Sequence, residues 1–172
     1  MTSFNLGMGI QGKEKAMSVE TARKAAQYLS FRLGEETFAL DITKVREILE
    51  FASVTKVPRM PPYMRGVINL RGNVVPVMDM RMRFGMTMTE KSINTCVIIT
   101  EIPSDGNYVV IGTLADSVQE VIELDEEEIE PSPSIGSQVN TDFLKGMGKH
   151  DNDFIQIVEI GNVFSDKTEM FP

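Results

Sequence analysis

One imidazole and one thiol are the side chains of this 172-residue sequence best suited to proton transfer or nucleophilic attack near neutral pH. His150 sits in Gly148-Lys149-His150-Asp151-Asn152-Asp153, a polar stretch that reads as a turn before the last strand. Catalysis there would need a nucleophile or a metal partner brought to it in space, so a solvated turn histidine is the simpler reading. The opposing reading is a small-molecule-binding or hydrolytic barrel centred on His150. Asp151 and Asp153 lack the further ligands and the glycine of a calcium loop, and turn chemistry explains them. Cys96 lies between Thr95 and Val97 in an apolar stretch with no adjacent positive charge, which fits a small buried thiol. A lone cysteine can form neither an internal disulfide nor a multi-cysteine zinc site. Gly7-Met8-Gly9-Ile10-Gln11-Gly12 matches GxGxxG, but six residues before it leave no room for the buried strand that a phosphate-binding turn requires. Glu123 to Glu130 holds six carboxylates, read as a solvated face anchored by Leu124 and Ile129, with attraction of a basic partner as the alternative. No convergent set of nucleophile, base and ligands emerges. The expectation is no enzyme, no cofactor and no metal.

Composition narrows the partners. Seventeen basic against twenty-five acidic residues give a formal charge of -8, which argues against nucleic acid or an anionic bilayer. With 42% hydrophobic and 24% charged residues, the chain has the usage of an ordinary globular domain and enough length for its own core. Its longest clean apolar run, Val74 to Met78, falls far short of the about 20 residues of a spanning helix, and the first fifteen residues show no secretory pattern. A cytoplasmic protein is expected. The twelve methionines mostly lie in or beside apolar stretches, as core filler or, where exposed, as adaptable docking surface.

The elements that would position these residues are mostly short strands. Residues 1–26 read as a flexible tail, in which Ser18 to Gln27 could form one or two helical turns. Leu29, Phe31 and Leu33, then a turn at Gly34-Glu35-Glu36, then Phe38, Leu40 and Ile42, predict a hairpin. Asp41 can cap a short helix whose stripe is Ile42, Val45, Ile48 and Leu49, leaving Glu47 on the opposite, wet face. Pro58, Pro61 and Pro62 forbid regular structure, although Pro62 could open a single turn over Tyr63, Met64 and Arg65. Gly66 to Leu70 and Val74 to Met78 flank the tight reversal Arg71-Gly72-Asn73, which places Arg71 at a hairpin end. Pro76 puts its strand at an edge, a ladder end or a bulge. Asp79 should cap a helical turn from Met80 to Phe84 that Gly85 stops. Strands are expected over Thr95 to Thr100, Tyr108 to Ala115, Val118 to Leu124 and Phe154 to Ile160. Many short strands with Gly and Pro turns point to small closed barrels.

One ordered series of motifs goes further. Phe38-Ala39-Leu40-Asp41-Ile42, Val45-Arg46-Glu47-Ile48, Val57-Pro58 and Pro62-Tyr63-Met64-Arg65-Gly66-Val67-Ile68-Asn69-Leu70-Arg71-Gly72 are followed by Val75-Pro76-Val77-Met78-Asp79-Met80-Arg81. Asp116-Ser117-Val118 and Phe143-Leu144-Lys145-Gly146 come later in register. From Tyr28 to Phe164 the chain resembles the CheW family of bacterial chemotaxis coupling proteins. The resemblance implies a mainly β fold of two small five-stranded barrel lobes packed together, as a single domain over residues 27–165 with a short tail over 166–172. It implies a non-catalytic adaptor bridging the cytoplasmic tips of methyl-accepting chemoreceptors to the regulatory domain of the histidine kinase CheA. Such an adaptor would be cytoplasmic, recruited to receptor arrays and not itself inserted in the membrane. A coupling role in a kinase pathway outside motility is equally compatible. Carried over by motif, the receptor-facing residues are Val45, Glu47, Gly66, Arg71 and Gly72; the kinase-facing residues are not assigned. An exposed Glu47–Arg71 pair would contribute only about 0 to 1 kcal/mol to stability, so orienting the arginine for a partner explains it better.

Overall fold

The computed structural model describes residues 25–132 and 139–164. The GxGxxG match, most of the expected N-terminal turns and the C-terminal tail lie outside them. Within them run β1 (Ala25–Leu33), β2 (Glu36–Asp41), β3 (Val45–Glu50), β4 (Met64–Leu70), β5 (Asn73–Asp79), β6 (Cys96–Ser104), β7 (Asn107–Ala115), β8 (Ser117–Asp125), β9 (Leu144–His150) and β10 (Asp153–Val158). Two short helical turns, Met80–Arg83 and Ile160–Val163, follow β5 and β10.

The strands form two five-stranded sheets. A terminal lobe has the order β8-β1-β2-β10-β9 and a middle lobe the order β3-β6-β7-β5-β4. The two orders are one topology. In each, a hairpin (β1-β2 or β6-β7) is flanked by a strand antiparallel to its first arm and by a second hairpin whose later strand runs parallel to its second arm. The chain therefore passes twice through the same five-strand plan, and each lobe takes its hairpin from one pass and its other three strands from the other. In both lobes the ladder is an open sheet rather than the closed barrel expected. One isolated bridge spans each gap, Thr55 to Val67 in the middle lobe and Glu130 to Met147 in the terminal lobe.

Continuous apolar runs such as Val97-Ile98-Ile99 arise because both faces of these strands are covered. Alternate residues enter different cores. Val97, Ile99, Val75, Val77 and Leu114 fill the middle lobe, and Tyr28, Ala39, Ile122, Ile155 and Ile157 fill the terminal lobe. The intervening positions, among them Phe31, Phe38, Met78, Ile98 and Ile111, join a third and largest cluster between the lobes. Phe31, Phe38, Phe84 and Phe143 form a chain of ring contacts through it, with centroids 6.0, 5.5 and 5.7 Å apart.

Several local expectations change. β1 begins at Ala25, so the last residues of the expected tail and helical turn, Ala25 to Gln27, are strand. Asp41 does cap, accepting from the Thr43 amide at 2.9 Å, but it caps a single 3-10 turn, Ile42–Lys44. The expected helix over Val45 to Leu49 is β3, because the segment pairs with β6. Met64 and Arg65 open β4 instead of closing a turn. Lys145 to His150 belong to a strand, β9, that the sequence did not announce, and Asp151 and Asn152 make the turn, both with positive φ. The last strand ends at Val158, with Ile160 starting a helical turn. Cys96 is half-buried at the start of β6, its thiol donating to the Asn94 carbonyl at 3.1 Å. Pro76 meets the ladder-end expectation: it faces Val67 of β4, and the pairing of β5 with β7 starts one residue later, at Val77.

Candidate functional site

The Arg71-Gly72 turn joins β4 to β5 with φ of 52° and 88°, the two positive values of a two-residue hairpin whose twist matches its strands. Asn69 completes the turn, its Oδ1 accepting from the Gly72 amide at 2.8 Å. Arg71 is thus thrown off the tip of the hairpin, its side chain 66% exposed. Its Nη2 donates to Oε2 of Glu47. Glu47 comes from β3, at the opposite end of the strand order, so the pair crosses the open seam of the middle lobe. A bulge between Val45 and Glu47 in the pairing with β6 marks this part of β3. The Glu47 side chain is 26% exposed, so the expected open solvent face becomes a half-buried carboxylate that fixes an exposed guanidinium.

The other three expected site residues are placed differently. Gly72 lies in the exposed turn beside Arg71. Val45 is half-buried at the start of β3 and packs against the interlobe cluster. Gly66 is buried, with φ of +140°, and a Cβ there would run into the backbone oxygen of Thr55. That contact is the seam bridge, since Val67 and Thr55 exchange backbone hydrogen bonds at 2.9 Å each way. Gly66 shapes the site by letting the seam close.

The terminal lobe closes its seam in the same way. Lys145 of β9 reaches Glu126 beyond β8 at 3.1 Å, and Gly146 lets the Glu130 backbone oxygen approach to 2.5 Å from where a Cβ would sit. Lys145 also donates to the hydroxyl of fully buried Tyr28 at 3.1 Å. Desolvation works against its charged form, but the hydrogen bonds and charges of Tyr28 and Glu126 outweigh it and hold the ammonium pKa above 10.5.

Two further motifs serve the architecture. Asp79 is fully buried and caps Met82, while accepting from the Thr89 amide at 2.9 Å, the Thr89 hydroxyl at 2.7 Å and Arg65 at 3.1 Å. A buried carboxylate with this many donors is tolerated and pins the loop after the helical turn. Asp116 accepts from Arg81 at 2.8 Å and from the Gly34 amide at 2.5 Å, tying the β1-β2 turn to the middle lobe. Arg83 lies between the rings of Tyr63 and Phe143, 4.7 and 4.8 Å from their centroids.

Sequence reasoning missed one neighbour of Arg71. A groove of about 430 Å³ runs beside it, lined by Arg46, Leu70, Val74, Pro76 and Tyr108. Val74 is 70% and Tyr108 67% exposed. Their positions were the signal: each is the second residue of a strand that starts right after a hairpin turn, at Asn73 and at Asn107. His150 ends β9 with Nε2 3.4 Å from the Asp151 carboxylate. Among the described residues no group of three His, Cys, Asp or Glu is placed to hold a metal, and no helix is long and apolar enough to cross a membrane.

Two lobes of one topology, interlocked around a shared core and seamed by paired charges, define a class of small two-lobed β modules. A family model for the CheW-like domain matches residues 27–168. The chemotaxis protein CheW of Rhizobium meliloti is 33% identical over 138 residues, covering 80% of this chain and 86% of that protein. The chemotaxis protein CheW of Klebsiella aerogenes is 33% identical, covering 81% of each chain. Among solved structures, that of the scaffolding protein TtCheW from Thermoanaerobacter tengcongensis matches with a TM-score of 0.72 and 38% identity, over 81% of this chain and 87% of that one. The chain belongs to the CheW-like domain family.

Proposed function

We propose that this chain is a non-catalytic adaptor that couples the cytoplasmic tips of chemoreceptors to the regulatory domain of the histidine kinase CheA, with residues 27–165 as its working unit. It would act at receptor arrays without entering the membrane. The observation that carries the reading is the oriented guanidinium: Arg71 stands off a hairpin tip, held by a carboxylate that is itself half-buried. A pair this exposed adds about 0 to 1 kcal/mol to stability, whereas a fixed arginine fork is suited to recognising a carboxylate or carbonyl on a partner. Glu47, Arg71 and Gly72 would form the receptor contact itself. Val45 and Gly66 would support that contact from beneath, Val45 by packing against the interlobe cluster and Gly66 by letting the seam close. Family membership and the likeness to a solved scaffolding protein support the assignment. The test is reconstitution of kinase activity from receptor, CheA and this chain. Receptor control of the kinase should require the chain and should be weakened by Arg71→Ala. Equal control without the chain would overturn the proposal.

A further inference from the structure

A second groove, of about 900 Å³, lies over β8, β9 and β10 in the terminal lobe. Its floor is apolar, with Leu124, Ile129, Met147 and Phe154, and Phe154 is 64% exposed. Its rim is acidic: Glu123, Asp125, Glu128 and Glu130 line it along with Glu127, and Lys149 is the cation among the lining residues. An apolar floor inside a carboxylate rim fits a segment that carries both lysines and large apolar side chains.

The chain supplies such a segment at that place. In the β1-β8 ladder Ala25 pairs with Asp125 and Ala26 with Leu124, so Ala25, the residue to which the segment 1–24 is joined, lies beside the rim. Residues 1–24 carry Lys13, Lys15, Arg23 and Lys24 against Glu14 and Glu20, a net positive segment in a chain whose total is -8. Phe4, Leu6, Met8 and Ile10 add the apolar side chains. We propose that residues 1–24 dock back on this groove, with Lys13 and Lys15 at the acidic rim and the apolar residues over Phe154. Tethering beside the groove gives an effective concentration in the about millimolar range, so a contact too weak to survive between separate molecules is populated within one.

The test uses the full chain with Cys96→Ser and a nitroxide on Ser3→Cys. Docking predicts that backbone amide signals of Met147, Lys149 and Phe154 fall by about half or more while those of Leu70 and Tyr108 do not, a contrast set by tethered occupancy. High salt should abolish the contrast, because the charges at the rim are screened. So should Lys13→Glu with Lys15→Glu, both outside β1 to β10. Three results would overturn the proposal: unattenuated groove amides, attenuation unchanged by salt and by charge reversal, or attenuation that appears only when labelled and unlabelled chains are mixed. The last would make a second copy the occupant.

Discussion

Arg71 and Gly66 were both expected at the receptor surface, and the structure gives them different physical work. Arg71→Ala removes an exposed side chain from a turn, so stability should stay within about 0.5 kcal/mol of the parent in urea unfolding while receptor coupling weakens. Glu47→Ala should weaken coupling similarly, and the double variant should be less than additive, since the two side chains act as one unit. Gly66→Ala should instead destabilise the fold by roughly 1–3 kcal/mol, because a side chain at that φ is strained and its Cβ collides with backbone. Gly72→Ala, with open space around its Cβ, should cost less in the same unfolding series. The reversal at Arg71-Gly72 was legible because turn residues announce themselves locally. Its partner Glu47 lies 24 positions away across the seam, and local pattern contains nothing about a seam. Asp79 was legible as a cap but not as a fully buried carboxylate, since its donors Thr89 and Arg65 are tertiary.

Among the elements, β3 and β9 show where periodicity misleads. Ile42, Val45, Ile48 and Leu49 fit a helical stripe, yet the segment is a strand with alternating half-buried and exposed positions, and Ile48 stays 41% exposed. Six residues are too few for period 3.6 and period 2 to separate. β9 was hidden by Gly146, Gly148 and three basic or polar residues, poor strand formers in isolation. Its glycines answer tertiary demands, one from the Glu130 carbonyl and one from Leu124, whose Cδ1 would lie 2.9 Å from a Cβ at Gly148. Lys145 then ties β9 to the acidic turn after β8. Its pKa is raised in the fold, so its contribution to stability is present below the unfolded value of 10.5 and is lost as pH rises through the higher folded value. Unfolding midpoints followed from neutral to strongly alkaline pH should fall in that upper window for the parent, and Lys145→Met should be less stable at neutral pH with a shallower alkaline decline. An identical alkaline decline in both would remove Lys145 from the account.

At the scale of the whole molecule, the lobes are joined by apolar packing and by Arg83, whose guanidinium lies between Tyr63 and Phe143. The interlocked plan also has a temporal consequence. The middle lobe, β3 to β7, is one contiguous stretch, so its ladders can all form once residue 115 has left the ribosome. The terminal lobe has at that moment only its first hairpin, with Phe38 and Leu40 waiting for Gln156 and Val158 at the other end of the chain. Closing that distance costs loop entropy before any contact repays it, which makes the terminal lobe the slow half. Pulse-labelling hydrogen exchange during refolding should therefore protect the amides of β6 and β7 before those of β10. Until β10 arrives, the inward edge of β2 is an unpaired strand, and a nascent neighbour carrying its own β10 could fill it. Crowded synthesis on one messenger should for that reason produce exchanged dimers joined through the terminal lobe, with the middle lobes intact.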